Sequence, residues 1–298
     1  MKGSGLRRDS PAKIAVVGHV EWAEFVAVER VPHPGDIVHA KSVGLQAAGG
    51  GAVAAVQIAR LNGACRFITA LGDDKIADLV GPSLEERGVE VLSVRRASPQ
   101  RRAFVHLDST GERTITTVGE RQGARGEDDL PWHEFGGFDA VYFTAGDADA
   151  LRAARQARLL VVTVRAHKAL AESGVRVDVL VASSNDRGEQ YSRGDVDPIP
   201  DWVVRTDGPL GGSLEASDGS ITSWRSLPVE GPFGDSYGAG DSFAAGLTCG
   251  LGMGFGIGDA ISLGAFCGAS AVHGAGPYGS QASAEDLPRW RELYEIAD

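Results

Sequence analysis

Short apolar runs recur along the chain, and most are followed by a longer segment in which apolar residues have helical spacing. The first run, residues 13–18, ends in glycine and is typical of a strand buried on both faces. Further strands of this kind are predicted at residues 67–72, 140–143, 159–164, 179–182, 202–206 and 213–216. Helices are predicted at residues 52–61, 75–87, from 241 onward, 259–273 and 284–296. This alternation predicts an α/β fold, a doubly wound and mostly parallel sheet flanked by helices.

A second pattern occurs near the N-terminus. Residues 24–31 alternate between apolar and polar side chains, residues 32–36 interrupt the alternation, and residues 37–40 resume it. Strands of this kind have one face in water and fit poorly inside an all-parallel sheet. The other strand-like segments that we group with them in a small second sheet are 89–96, 102–107 and 114–118. We therefore expect a β-sheet lid drawn from about residues 22–46 and 91–120.

Composition limits the class of protein. The 298 residues, 43% of them hydrophobic, suit one α/β domain at residues 13–298, preceded by a polar tail, residues 1–12, that is predicted to be disordered. The net charge of −11, without a run of Lys or Arg, argues against nucleic-acid binding. The apolar runs are too short for a signal peptide or a membrane span. Three separated cysteines without a C-x-x-C motif indicate reduced thiols and a cytoplasmic protein.

One stretch carries the candidate chemistry. Gly238, Ala239 and Gly240 stand directly before Asp241, and the residues that follow read as a packed helix. The N-terminus of a helix presents free N–H groups and the positive end of its dipole, which makes an anion site without basic side chains. Asp241 has the wrong charge to bind an anion, but it suits a base that takes a proton from an attacking hydroxyl. The alternative is a tight loop in which Asp241 caps the helix.

A rival motif overlaps this stretch. Residues 234–238 satisfy G-x-S-x-G, the nucleophile elbow of hydrolases, and His273 lies downstream. The elbow requires a strand that runs directly into the serine, whereas residues 230–234 read as a loop, so we disfavour a hydrolase. The chain contains no P-loop motif, no G-x-G-x-x-G after the first strand and no H-E-x-x-H.

The stretch from Asp235 to Phe243 resembles the C-terminal signature of the ribokinase family of sugar kinases, also called the PfkB family. Four further segments occur in the order of that family. They are Gly49-Gly50-Gly51, Gly72-Asp73-Asp74, Gly111-Glu112-Arg113-Thr114 and Thr206-Asp207-Gly208-Pro209-Leu210-Gly211. The resemblance runs from about residue 13 to residue 279, and it implies a ribokinase-like domain with a small β-sheet lid.

The resemblance also implies an ATP- and Mg²⁺-dependent reaction with Asp241 as the base. The main chain of Gly238, Ala239 and Gly240 would then bind the transferring phosphoryl group. The nucleotide-binding positions that it implies are Thr206, Gly208, Gly211, Asp186 and Glu189. Asp186 and Glu189 would act near Mg²⁺, the alternative being a solvated helix start. Asp235 would help to hold a monovalent cation such as K⁺, and the alternative there is an Asx turn.

On the substrate side the resemblance implies contacts from Gly49 and Gly50 and from Arg113 of the lid hairpin. The chain departs from the family pattern at two positions. Where relatives usually have an aspartate after the first strand, this chain has Ala23. Glu24 or Glu21 is the candidate substitute for that aspartate. Val53 or Ala54 occupies the position at which relatives usually have an asparagine. Losing polar partners changes which ligand is accepted, so we expect a non-standard substrate.

Three further side chains have two interpretations each. Trp22 would stack on the substrate or pack within the lid, and His19 would donate a hydrogen bond to it or be satisfied at a strand end. Arg165 would be a charge partner of the phosphates or a surface residue at the end of a strand.

The resulting hypothesis is an ATP-dependent phosphotransferase that acts on a hydroxyl of a sugar or sugar-like small molecule, as a homodimer paired through the lid. The alternatives are a nucleoside kinase of the same family and a ligand-binding relative that has lost turnover.

Overall fold

The computed structural model describes residues 11–297. The predicted N-terminal tail therefore falls mostly outside the described residues, and its disorder stays a prediction. Ala12 is already buried, and its N–H donates to Oδ1 of Asn62 at 3.1 Å.

Thirteen strands and seven α-helices make up the described part of the chain. The strands are β1 Ile14–Val17, β2 Glu21–Ala27, β3 Lys41–Ala48, β4 Cys65–Leu71, β5 Val89–Arg95, β6 Arg102–Leu107, β7 Arg113–Val118, β8 Ala140–Phe143, β9 Leu160–Thr163, β10 Val179–Ser183, β11 Trp202–Thr206, β12 Gly212–Ala216 and β13 Ile221–Trp224. The helices are α1 Gly50–Asn62, α2 Ala77–Glu85, α3 Ala148–Ala154, α4 His167–Ser173, α5 Ala239–Gly252, α6 Ile257–Ala271 and α7 Leu287–Ala297.

Nine of the strands form one large sheet in the order β13-β12-β11-β10-β9-β8-β1-β4-β5. Neighbours from β11 through β5 are parallel, whereas β12 and β13 add an antiparallel edge. The predicted doubly wound, mostly parallel sheet is confirmed.

The sheet has a hydrophobic core on each face, because alternate side chains of a strand point to opposite sides. Val16 and Phe67 belong to the core on the side of α1, α5 and α6, whereas Val17 and Ile68 belong to the core beneath α3 and α4. The two central helices, α1 and α5, are buried along nearly their whole length.

The remaining four strands form the small sheet, in the order β3-β2-β6-β7. Ala23, Phe25 and Val105 lie on its inner face and are fully buried, whereas β7 is exposed along its length. We call this sheet the lid. It takes its strands from two separate parts of the chain, residues 21–48 and 102–118.

Two element predictions were wrong. Residues 89–96 do not enter the lid, because β5 pairs in parallel with β4 at the edge of the large sheet. At the edge of the sheet both faces of β5 are only partly covered, so its apolar residues after Val89 are half-buried and its polar residues are exposed. Residues 37–40 form no strand, since the second lid strand begins only at Lys41. Strand β13 and the short helices α3 and α4 were not predicted.

Candidate active site

The site is built around the N-terminus of α5. Gly238 precedes the helix with φ of 77°, a conformation that favours glycine, and a Cβ there would lie 2.9 Å from Cγ1 of Val53. The N–H of Ser242 donates to the carbonyl of Gly238 at 2.8 Å, so the N–H groups of Ala239, Gly240 and Asp241 remain free of helical partners. No atom lies within 4 Å of a Cβ built on Gly240. The predicted anion cradle therefore opens into free space.

Asp241 occupies the third position of α5 and is half-buried. Within residues 11–297 its carboxylate accepts no hydrogen bond. Burial raises its pKa from 3.8 to about 6, and the nearby charge of Glu189 adds to the increase, while Arg113, Arg165 and Arg121 oppose it. A carboxylate of this kind is ionised at neutral pH and is a better base than an ordinary aspartate.

The N-terminus of α1 meets Asp241 from the other side. A Cβ on Gly50 would lie 2.7 Å from Oδ1 of Asp241, so only glycine leaves room for the carboxylate. The N–H of Gly49 donates to the hydroxyl of Tyr237 at 3.1 Å, and Tyr237 packs edge-on against Phe25 of the lid at 4.9 Å between ring centroids. The two helix ends and the lid therefore converge on one point.

A polar cluster lies where β1 leads into β2. Nδ1 of the buried His19 is 3.0 Å from Nη2 of Arg121. A guanidinium can only donate, so Nδ1 accepts and the proton of the neutral ring is on Nε2. Burial, aided by the charges of Arg121, Arg101 and Arg165, holds the pKa of His19 well below its usual value. Glu21 accepts from Nε of Arg101 at 2.7 Å and lies 3.7 Å from Nε2 of His19.

The predicted nucleotide residues follow the carboxyl ends of adjacent strands, where ligands of open α/β sheets bind. Arg165, after β9, forms ion pairs with both Asp186 and Glu189, which follow β10. Asp186 also accepts from the N–H of Gly188 at 2.8 Å, so it caps the short helical turn 187–189, as the alternative interpretation holds.

Thr206 ends β11 and begins the predicted nucleotide loop. Its carbonyl accepts from the N–H of Ser184 at 2.9 Å. Gly208 and Gly211 both have positive φ, at 55° and 93°. A cavity of about 430 Å³ opens beside this loop. It is lined by Ser184, Asp207, Leu210, Gly212, Ser213, Ser223, Trp224 and Arg225.

Asp235 is buried and joins two loops. Its Oδ1 accepts from the N–H of Tyr237 at 2.9 Å, and its Oδ2 accepts from the N–H of Gly276 at 2.6 Å. The first of these bonds is the Asx turn of the alternative interpretation. The described residues contain no group of three or more His, Cys, Asp or Glu side chains that could hold a metal ion.

The lid is fastened to the loop before α5. Nη1 of Arg113 donates to Oγ of Ser236 at 2.7 Å, and the N–H of Ser236 donates to the carbonyl of Gly111 at 3.3 Å. Arg113 therefore contacts the loop that precedes α5, and its contact with the acceptor stays a prediction. Ser236 is engaged by the lid, and the ring nitrogens of His273 contact the carbonyls of Pro232 and Val229. No strand of the described chain leads into Ser236, so a nucleophile elbow is not formed.

Trp22 and Glu24 do not lie on the inner face of the lid. Strand alternation places both on the outer face of the lid, opposite Phe25, where Glu24 pairs with Leu45 and Phe104. Glu21 points to the inner side instead. The sequence analysis did not identify Arg101 and Arg121. No local pattern indicates that Arg121 contacts His19, which lies 102 residues earlier in the chain.

Comparison with known proteins agrees with this geometry. A model described as the pfkB family carbohydrate kinase matches residues 11–194, more than half of the chain. The ribokinase of Staphylococcus aureus (strain COL) is 26% identical over 110 residues, which are 36% of this chain and 36% of that protein. The match thus spans little more than a third of this curated relative.

Solved structures resemble nearly the whole chain. A ribokinase from Thermotoga maritima has a TM-score of 0.77 at 20% identity and covers 94% of this chain and 99% of its own. An Arabidopsis thaliana ribokinase complexed with ribose and ATP has a TM-score of 0.74 at 20% identity, with the same coverage. The fold is therefore ribokinase-like. The chain belongs to the pfkB family of carbohydrate kinases.

Proposed function

We propose that this protein is an ATP-dependent kinase that transfers the γ-phosphate of ATP to a hydroxyl of a sugar or sugar-like small molecule. The observation that carries the proposal is the half-buried Asp241, without a hydrogen-bond partner among the described residues, beside three free N–H groups at the start of α5. A base and an anion cradle on one helical turn are the two groups that phosphoryl transfer to an alcohol requires. The name and ligands of the A. thaliana ribokinase support the same assignment.

In the reaction, Asp241 accepts the proton of the acceptor hydroxyl. The oxygen then forms a bond to the γ-phosphorus while the bond from that phosphorus to the bridging oxygen of ADP breaks. The N–H groups of Ala239 and Gly240 stabilise the negative charge on the transferring group. ADP and the phosphorylated product leave, and Asp241 releases its proton to solvent.

ATP binds along Thr206, Gly208 and Gly211 in this proposal, with its phosphates directed toward α5. The carboxylates of Asp186 and Glu189 are hard oxygen ligands that suit Mg²⁺ together with phosphates and water. Mg²⁺ supplies charge neutralisation of the phosphates when bound. Arg165, which both carboxylates orient, lies close enough for its charge to act on Asp241.

Asp235 is the residue that would hold a monovalent cation. Among residues 11–297 its buried carboxylate accepts hydrogen bonds from two backbone N–H groups, which leaves lone pairs for a further ligand. Its position before α5 would couple such an ion to the shape of the anion cradle.

The acceptor is bound between the lid and the start of α1, against Gly49, Gly50 and Arg113. Glu21 replaces Glu24 as the inward-facing acid of the lid. The outer face of the lid carries Leu45 and Phe104, which are 58% and 36% exposed, and the half-buried Trp22, which packs against the core. An exposed apolar sheet face is a typical association surface, so we propose a homodimer through the outer face of the lid.

Localisation in the cytoplasm is supported by the state of the cysteines. Cys65, Cys249 and Cys267 are free and buried, as expected in a reducing compartment. No helix in the described part of the chain is long and apolar enough to cross a membrane.

The test is an ADP-release assay over sugars, sugar acids, sugar phosphates and nucleosides, with the wild type and two matched variants. Asp241→Asn should lower kcat by about 10²- to 10⁴-fold and leave ATP binding intact. Asp259→Asn, at the third position of α6, is the control and should retain activity. Normal turnover by Asp241→Asn, or ATP binding without turnover of any acceptor by the wild type, would reject the proposal. A preference for nucleosides would select the nucleoside kinase.

A further inference from the structure

Arg121 stands at the site without an acidic partner. Among residues 11–297 its guanidinium forms no ion pair, and its hydrogen bonds go to the ring of His19. Arg165 at the same site is held by two carboxylates, and Arg101 is held by Glu21. In a chain with a net charge of −11, an arginine bound by a neutral imidazole is unusual and requires an explanation.

The environment of His19 orients Arg121 without neutralising it. His19 is 6% exposed and is kept neutral by burial and by the neighbouring positive charges. Its Nδ1 accepts from Arg121, and its Nε2 faces Glu21, whose charge Arg101 already balances. The four side chains thus carry one positive charge in excess, and that charge is on the exposed Arg121.

At the two positions where the chain departs from the family pattern of acceptor contacts, it offers no polar group to a neutral polyol. Ala23 of the lid and Val53 of α1 are completely buried and carry no polar side-chain atom. A Cβ on Gly49 would lie 3.3 Å from Nε2 of His19, and the next residue, Gly50, faces Asp241, so the pair of His19 and Arg121 borders the same space as Asp241. A guanidinium presents paired donors that match a carboxylate or a phosphate.

We propose that the acceptor is a sugar derivative with an anionic group, a carboxylate or a phosphate, and that Arg121 binds this group while His19 positions Arg121. The inference deepens the proposed kinase function and rests on it for the identity of the acceptor. Binding of the anion can nevertheless be measured without turnover, which separates the two claims.

The experiment measures binding by calorimetry, without ATP, of matched sets in which a neutral sugar is compared with its acid and its phosphate. Glucose, gluconate and glucose 6-phosphate form one set, and arabinose, arabinonate and arabinose 5-phosphate form another. The remaining five- and six-carbon sugars, ketoses and keto acids included, extend the sets. We expect at least one anionic member to bind at least about tenfold more tightly than its neutral counterpart. The preferred member shows whether the group is a carboxylate or a phosphate. If no anionic member exceeds its neutral counterpart, the inference is overturned.

Arg121→Gln should weaken binding of the anionic ligand by about 10- to 100-fold, which corresponds to the loss of a charge-assisted hydrogen bond. Binding of neutral sugars should change little. Arg121→Lys should restore part of the loss. Arg291→Gln, on the exposed side of α7, is the matched control. Equal loss for neutral and anionic ligands would overturn the assignment of Arg121.

His19 acts through Arg121, so its variants should reproduce a weaker form of the same selectivity. His19→Leu should weaken the binding of anionic ligands only. His19→Asn, which keeps a hydrogen-bond acceptor for the guanidinium, should restore part of that binding. Anion binding that depends on Arg121, together with no ADP release for any acceptor, would reject the kinase function and leave this inference standing.

Discussion

Asp241 and Gly50 are in direct apposition, since a Cβ on Gly50 would lie 2.7 Å from Oδ1 of Asp241. Each residue belongs to the first turn of a helix, and α1 and α5 thus bring their N-termini to the same carboxylate. The position of the Asp241 carboxylate, our proposed base, is therefore set by the absence of a side chain on the opposite helix.

Gly50→Ala should consequently lower kcat without unfolding the protein. The added methyl group pushes the carboxylate away, and a displacement of about 1 Å at a reacting group costs on the order of 10²-fold in rate. Gly258→Ala at the start of α6, where a Cβ meets no atom within 4 Å, is the control. Steady-state kinetics and thermal melting of both variants test the prediction, and unchanged kcat in Gly50→Ala would contradict it.

The pH dependence of turnover should report Asp241. Because the base must be ionised and burial raises its pKa to about 6, kcat/KM should rise with pH up to about 6 and then level off. Glu189→Gln should move this midpoint to lower pH, since the charge of Glu189 raises the pKa and its removal also releases Arg165. A midpoint near 4 in the wild type, or an upward movement in the variant, would show that another group controls the profile.

Folding stability should depend on the same ionisation with a defined sign. The pKa of Asp241 is raised in the folded state, so the native protein binds more protons than the unfolded chain between about pH 4 and 6. The free energy of unfolding therefore falls as pH rises through this range. Asp241→Asn removes the effect and should be more stable than the wild type by about 1–3 kcal/mol at pH 8. Urea titrations at pH 4 and pH 8 measure the difference, and equal stabilities at pH 8 would refute it.

The two glycines of the cradle should respond differently to alanine. Gly240 faces open space inside α5, so Gly240→Ala should keep or slightly raise the melting temperature while its methyl group obstructs the phosphoryl site and lowers kcat. Gly238→Ala should lower the free energy of unfolding by about 1–3 kcal/mol, because the φ of this residue is positive and the added Cβ would collide with Val53. Calorimetric melting with parallel kinetics distinguishes the two effects. Equal melting temperatures for the two variants would argue against this account.

The outer face of the lid should control association. Phe104→Asp places a charge in the exposed apolar surface and should convert the proposed dimer into a monomer in sedimentation or light scattering. Leu79→Asp on α2, where Leu79 is 50% exposed, is the control for an exposed apolar residue elsewhere. A monomeric wild type would end the dimer proposal.

The sequence by itself determined the class of fold and the helix start at which we place the candidate site. The cradle at Gly238–Asp241 depends on consecutive residues at one helix end, and strand–helix alternation depends on periodicity within each segment. Both are short-range properties, and for this reason the sheet, the helix start and the family resemblance could be predicted. The lid hairpin at Arg113 belongs to the same group.

Only the tertiary structure decided which residues meet. Alternation in β2 separates Trp22 and Glu24 from Phe25, but the packing of Phe25 on Tyr237 decides which set faces inward. The strand-like residues 89–96 joined the large sheet because parallel pairing with β4 satisfied their backbone groups. Arg121 and His19 meet across 102 residues, a contact that no local pattern encodes. The excess charge that we assign to the acceptor site is therefore a product of chain topology.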